Sequence, residues 1–517
     1  MRVENSIKNI ISNLCSNIVT SLLGFISRTI FIYTLGKSYL GISALLQNVF
    51  GLLAISELGI STAIGFSLYK PLAENNNKLI STLMTIYKKA YRVIAITILF
   101  LGIILYKYLD FFVSKNQQPK EIFYIYFLYL INIVIGYFLS YKTTLISSDQ
   151  KAYKLVPIQI KLNIITILIQ IVYLLVFKEY LGYLTIQILS SILINIIQNR
   201  FITKEYNYLN FSSKDKLPVE EKRIIIKNMF GLMAAKLGDF CVNSTDNLII
   251  SKFVDLASVA IYSNYIMIRN LVNGYIGILF GAITSSFGNL VAEGNDKKSL
   301  EVFNILFFLS FILYSFEAVS FLCLFNPFIG NLWIGKEYLF PMHVVLAIVI
   351  NNYLTGLRMP IITMKSAAGI YAEDAWVPFG FAIINLGASI ILGKYWGVFG
   401  VIVGSIIGSI CTADWFRPIV VFKKVFKVSS WNYFKNYFKY IILGFAYMFI
   451  SIEICNIISV SNIFIDFILR CFVCVFVPNI ITILLFFKTP EFKYLYNVFS
   501  NMFLSKIVSK FRRKENA

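Results

Sequence analysis

Leu72-Ala73-Glu74-Asn75-Asn76-Asn77-Lys78 is a short polar interruption between two long apolar runs, and far downstream Val291-Ala292-Glu293-Gly294-Asn295-Asp296-Lys297 interrupts two more. Other anchors repeat at nearly the same offset as Glu74 and Glu293. Val156-Pro157 returns as Val377-Pro378, and Gly182, which opens one apolar run, returns as Gly397, which opens another. Offsets that agree to within a handful of positions mark an internal duplication. The runs on either side of each interruption are long enough to cross a hydrocarbon core of about 30 Å, which takes roughly 20 residues of helix.

Applied along the chain, that length gives spans near 9–34, 40–68, 81–105, 122–146, 156–177, 182–202, 225–251, 257–289, 303–325, 341–364, 377–393, 397–421, 437–457 and 462–487. The expected fold is therefore an all-α polytopic membrane protein of about fourteen helices. Residues 1–210 form a six-helix lobe, 211–224 a polar cytoplasmic linker, 225–432 a second six-helix lobe, 433–490 two extra helices and 491–517 a basic tail. Six is even, so both lobes begin on the same side of the membrane. The repeats are parallel, related by an axis along the membrane normal, an arrangement known in transporters that rock around a central cavity.

Composition agrees. Of 517 residues 58% are hydrophobic and 14% charged, with a mean hydropathy of +0.74. A soluble globular chain carries roughly 25% charged residues, so a water-soluble enzyme is excluded. The net charge of +21 would suggest nucleic acid in a soluble protein, but its distribution points elsewhere. About 33 of the 47 basic residues fall at the termini and in the loops after even-numbered spans, which by the positive-inside rule are cytoplasmic. Both termini are expected in the cytoplasm, the membrane is the bacterial cytoplasmic membrane, anionic lipid headgroups are expected neighbours, and no nucleic-acid partner is expected. Met1 to Ser6 carries no cleavage-site pattern, so the first run is expected to stay as an anchor. Cys471 and Cys474 form a CxxC inside an apolar span and read as packing residues. His343 stands alone, so no metal site is expected.

The segments Glu57-Leu58-Gly59-Ile60-Ser61-Thr62-Ala63, Leu68 to Glu74, Thr245-Asp246-Asn247-Leu248-Ile249-Ile250-Ser251-Lys252-Phe253 and Ala260-Ile261-Tyr262-Ser263, set in a 6+6+2 plan, resemble the bacterial polysaccharide transporters and lipid-linked oligosaccharide flippases of the multidrug/oligosaccharidyl-lipid/polysaccharide exporter (MOP) superfamily. The resemblance implies a MATE/MOP-like fold. It also implies a function: moving undecaprenyl-pyrophosphate-linked repeat units to the outer leaflet by alternating access, for capsule, exopolysaccharide or O-antigen-type assembly. Glycan polymerase and glycosyltransferases would be partners, and the polyprenyl tail would stay in lipid along the last two spans.

Charges at membrane depth are costly and mark candidate sites. Asp414 with Arg417, Asp466 with Arg470 and Lys236 with Asp239 have the i,i+3 or i,i+4 spacing of local pairs. Arg28, Arg269 and Arg358 have no such partner, nor do Glu57, Asp246 and Glu317. The chain holds 11 Arg and 36 Lys, yet Arg supplies most of the cations within the spans. Guanidinium keeps its charge when desolvated and grips phosphate oxygens with two parallel hydrogen bonds, so these arginines suit a pyrophosphate. Asn17 and Ser21 share a helical stripe with Asn13, Gly24 and Arg28. Asn243 follows Asp239 one turn later, and Tyr265 and Asn273 lie on the side of Arg269. Together these read as a sugar- and pyrophosphate-binding set, and by resemblance Arg28 and Arg269 lead it. Glu57, Asp246 and Glu317 are candidates for coupling to H⁺ or Na⁺, or for pairing with the arginines. No cofactor is expected. Two alternatives remain: an ion-coupled multidrug exporter of the same superfamily, or a membrane polysaccharide polymerase, which the short extracytoplasmic loops disfavour.

Overall fold

The computed structural model describes residues 2–54, 57, 59–211, 245–292, 294–370, 373–374, 376–458, 460–498 and 500–501. Outside them lie Asn243, the Lys236–Asp239 pair, the expected linker 211–224 but for residue 211 and, from residue 502 on, the expected tail 491–517. Among the described residues the regular structure is helical throughout. The main helices are α1 (Arg2–Ala54), α2 (Ile60–Ala73), α3 (Asn77–Tyr106), α4 (Ile122–Ser140), α5 (Val156–Phe177), α6 (Tyr180–Glu205), α7 (Thr245–Phe253), α8 (Leu256–Ala292), α9 (Asp296–Asn326), α10 (Met342–Leu357), α11 (Met359–Ala367), α12 (Val377–Cys411), α13 (Ala413–Val421), α14 (Trp431–Ile457) and α15 (Ile463–Phe486).

Ten continuous helical stretches among the described residues are long and apolar enough to cross a membrane. Two of these are double. α1 breaks at Gly36 (φ 77, ψ −168) and α12 at Gly397 (φ 59, ψ −139), conformations open in practice only to glycine. Arg28 and Ser43 both stand against Tyr129, although about 22 Å of straight helix would separate them. Past Gly397 the chain also doubles back, for Ser389 Oγ donates to the Val401 carbonyl at 2.9 Å. Dividing these two helices and adding the long α8 accounts for the expected spans apart from the seventh, most of which lies outside the described residues.

The duplication is written into the backbone as well. Left-handed residues stand at Asn75 and Gly294, at Gln150 and Gly369, and at Lys178 and Gly397, and the three pairs share one offset in the numbering. The side chains of Asn76 and Asn295, again at that offset, cap the next helix by accepting from the Leu79 and Lys298 amides at 3.0 Å. The polar interruptions are therefore tight hairpin turns, one αL residue followed by an asparagine cap.

The chain divides into two compact units, Met1–Met267 with Pro378–Gly404, and Ile268–Val377 with Ser405–Ala517. In the first, α5 packs on α1 and α6, and α4 on α3 and α6. The second is built around α9, which is buried on nearly every side as expected of a helix apolar all round. Its phenylalanines receive the two extra helices: Phe307 on Tyr433 at 4.9 Å, Phe311 on Tyr440 at 4.4 Å and Phe308 on Phe486 at 4.9 Å. Tyr353 Oη donates to the Tyr440 carbonyl at 2.6 Å. Cys474 is a buried free thiol facing the Val319 carbonyl of α9.

The hairpin at Gly397 makes a testable contrast. A methyl added at Gly400 would lie 2.1 Å from the Leu392 carbonyl oxygen, whereas one added at Gly387 meets nothing within 4 Å. Gly400→Ala should destabilise by about 2 kcal/mol or more, and Gly387→Ala should be neutral or stabilising by up to about 1 kcal/mol. Thermal unfolding of the two purified variants in detergent measures the difference.

Candidate functional site

Among the described residues Arg358 and Arg28 are held in two different ways, and the partner decides which. Arg358 closes α10, where the following Met359-Pro360 starts a new helix. Its side chain is buried. It forms an ion pair with Asp414 at 3.0 Å and hydrogen bonds with Ser409 and Thr355, each at 3.0 Å. Arg417 goes to Asp374 at 3.1 Å, and Lys365 meets the same carboxylate at 2.5 Å. The local Asp414–Arg417 pairing read from spacing is thus replaced by pairings across helices, because each carboxylate is closest to a cation brought to it by tertiary packing. The other local pair forms as spaced, with Arg470 donating to Asp466 at 2.7 Å.

Arg28, on α1, is held differently. Its Nε and Nη2 donate to Asn264 Oδ1 at 3.1 and 2.9 Å, and Nη2 to Ser263 Oγ at 2.5 Å. Tyr129 and Tyr183 complete its surroundings. No carboxylate lies within ion-pair distance of it among the described residues. Neutral acceptors on α8 orient the guanidinium without cancelling its charge, so an anion that reaches it meets the full cation.

The same helix face leads to a cavity of about 520 Å³ in the same unit, lined by Thr20, Ser140, Thr143, Gln159, Asn163, Thr166, Ile167, Gln170, Gln187, Ser190, Ser191, Ile194, Asn195 and Gln198. All but the two isoleucines are amides or hydroxyls, and none is charged. Thr20 lies about 12 Å along α1 from Arg28 at 1.5 Å per residue. On α6 a continuous face runs from Tyr183, beside Arg28, through Gln187 and Ser191 to Gln198. Gln170 is fastened to that face by Nε2 donating to the Tyr183 carbonyl at 3.2 Å. Such a surface can exchange hydrogen bonds with a hydroxyl-rich ligand at many points. The α5 and α6 amides are absent from the set read in the sequence although their signal is present there: Gln159, Asn163, Thr166 and Gln170 recur at i, i+4, i+7 and i+11, a single helical stripe.

The remaining candidates disperse. Asn17 is exposed and Ser21 half-buried on the α1 stripe. Tyr265 is fully buried. Glu57 sits where the second span breaks between α1 and α2, accepting from Tyr91 Oη at 2.9 Å. Asp246 accepts from Tyr262 Oη at 3.0 Å, and its neighbour Thr245 meets Asn385 at 3.4 Å in the α12 hairpin. In the second unit Arg269 donates to adjacent Asn270 at 3.0 Å, and Asn273 Nδ2 to Asn352 Oδ1 at 2.7 Å. Glu317 is 2% exposed and neither of its oxygens is hydrogen-bonded. Asn352 and Arg269 are its polar neighbours.

The two kinds of arginine differ in what removal leaves behind. Arg358→Ala strands Asp414 in the interior and should cost about 3–5 kcal/mol, while Arg28→Ala strands only neutral acceptors and should cost about 1 kcal/mol. Thermal unfolding checks the ordering, and Arg358→Met with Asp414→Leu should recover most of the loss.

Residues 6–287, just over half of the chain, match the family model described as polysaccharide biosynthesis protein. No curated protein matches. Among solved structures, the inward closed conformation of the lipid II flippase MurJ is similar at a TM-score of 0.66 and 14% identity, covering 94% of this chain and 99% of that one. An inward-facing multidrug resistance MATE family transporter of the MOP superfamily is similar at 0.58 and 16%, covering 78% and 95%. The Vibrio cholerae MATE transporter VcmN in its bent form is similar at 0.53 and 12%, covering 82% and 98%. These similar structures are of flippases and transporters rather than enzymes, and with the family match and the many apolar helices they place the chain, a multi-pass membrane protein of MOP-type fold, in the polysaccharide biosynthesis protein family.

Proposed function

We propose that the chain flips a polyprenyl-pyrophosphate-linked oligosaccharide from the inner to the outer leaflet of the bacterial cytoplasmic membrane by alternating access, with both termini in the cytoplasm. The glycan would be of the capsule, exopolysaccharide or O-antigen type. The observation that carries this reading is Arg28, a guanidinium oriented by neutral acceptors and set on the same helix face as an uncharged cavity of amides and hydroxyls. A pyrophosphate needs the cation, and an oligosaccharide needs neutral donors and acceptors at many angles. Arg269 is the matching candidate in the second unit. Arg358 fits a structural role better, since Asp414 already takes its charge.

A transporter driven by an H⁺ or Na⁺ gradient needs a titratable or cation-binding group. Asp246 is the best placed of the three carboxylates, because Tyr262 already donates to it and the adjacent Thr245 donates to Asn385. It is proposed to couple H⁺ or Na⁺ movement to the cycle. The second reading, a multidrug exporter, shares the fold. It is disfavoured by the cavity lining, which offers a cationic drug no carboxylate.

Proteoliposomes carrying a fluorescent polyprenyl-pyrophosphate oligosaccharide test the proposal directly. Wild-type protein should make the outer-leaflet fraction grow, Arg28→Ala should slow this at least tenfold at a melting temperature close to that of the wild type, and Arg28→Lys should recover part. Asp246→Asn should abolish the response to an imposed H⁺ or Na⁺ gradient. Efflux of a cationic dye that is indifferent to Arg28→Ala, with no flipping, would overturn the flippase reading in favour of drug export.

A further inference from the structure

The outward side of α6 carries a feature that the cargo reading does not use. Opposite the cavity-lining face of that helix, Ile196, Asn199, Arg200, Thr203 and Lys204 recur at i, i+3, i+4, i+7 and i+8. With Leu139 and Lys142 from the end of α4, they line a shallow groove of about 520 Å³. Lys142 reaches across it and donates to Thr203 Oγ1 at 2.7 Å.

Three cations therefore border one groove, and among the described residues none has a carboxylate within ion-pair distance. The nearby acids are taken: Asp149 pairs with Lys151 at 2.7 Å and Glu205 with Lys154. Like charge is added instead. Lys88 and Lys142 face the same Phe211 ring, at 4.8 and 5.4 Å from its centroid. A cluster that repels itself in this way is relieved by an anion.

The rest of the face says what carries that anion. Going back along α6, the same side presents Leu193 and Leu189, 50% and 61% exposed. On α4, Phe138 and Ile131 are exposed as well. From Leu189 to Arg200, the first cation, is about 16 Å of helix at 1.5 Å per residue, close to the roughly 15 Å half-thickness of a hydrocarbon core. The surface is thus apolar over the depth of one leaflet and cationic where that leaflet ends. Asn199 ties the two helices together at the groove. Its amide nitrogen donates to the Leu139 carbonyl at 2.7 Å, satisfying one of the free carbonyls at the end of α4.

From this juxtaposition we infer that the α4–α6 groove is a binding site for an acidic phospholipid. Lys142, Arg200 and Lys204 hold the phosphate, and the acyl chains lie along Ile196, Leu193 and Leu189. A soluble phosphate would use the cations but not the apolar track, and the cavity on the opposite face of α6 is independent of either.

Native mass spectrometry of the full-length protein, titrated in detergent with dioleoylphosphatidylglycerol or dioleoylphosphatidylcholine, tests the site. Wild-type protein should retain phosphatidylglycerol in preference to phosphatidylcholine. A Lys142→Gln, Arg200→Gln, Lys204→Gln triple variant should bind it at least tenfold more weakly, while Lys423→Gln, Lys424→Gln, Lys435→Gln should bind it normally. Thr203→Glu, which places a carboxylate at an exposed position between the cations, should reproduce the loss if the triple variant does not fold. Undiminished binding by the variants, equal loss in the control triple, or displacement of the lipid by millimolar inorganic pyrophosphate would each overturn the inference.

Discussion

A bilayer offers no water to an exposed N–H or C=O, so a chain that crosses it repeatedly must close every backbone hydrogen bond within its helices and concentrate its turns into very few residues. This constraint shapes the molecule. At Asn75 and Gly294, and again at Lys178 and Gly397, one left-handed residue reverses the chain, and at Asn76 and Asn295 a side chain satisfies the amides of the next helix. Because the allowed solutions are few, the two halves use the same ones at matching positions.

The same scarcity of water governs charge. A desolvated guanidinium is stable only with acceptors around it, and the kind of acceptor fixes what it can do. Arg358, against Asp414, is neutralised in place and ties α10 to α13. Arg28, against Asn264 and Ser263, keeps its field, which extends toward any anion near the α1 face. The distinction between the two arginines is therefore one of partner chemistry, since both sit in helical stretches long and apolar enough to cross a membrane.

Spans, their number and the duplication were legible in the sequence because hydropathy and turn chemistry are local properties. Partners were not. Spacing of i,i+3 between Asp414 and Arg417 is compatible with a pair, yet Asp414 meets Arg358 and Arg417 meets Asp374, both of them brought in from earlier helices or turns. Only packing decides such a competition. The cavity is an intermediate case. Gln159, Asn163 and Gln170, with Gln187 and Gln198, form readable stripes, but a search guided by charge passes over neutral amides, whose cost in lipid is smaller and whose partners are easily found within a helix bundle.

α6 shows why no single amphipathic face describes a helix of this kind. Over residues 187–198 its polar side looks into the cavity, and from Ile196 to Lys204 its polar side is the opposite one, so the two stripes cancel in any average over the helix. Each stripe suits its depth. On α6 the groups that face the cavity are neutral amides and hydroxyls, and Arg200 and Lys204 come only in its last turns. A helix that must face a hydroxyl-rich ligand on one side and a lipid leaflet on the other has to change its polar side along its length. The switch falls at Ile196 to Gln198, where the two stripes overlap, so each face of the helix keeps its own polarity.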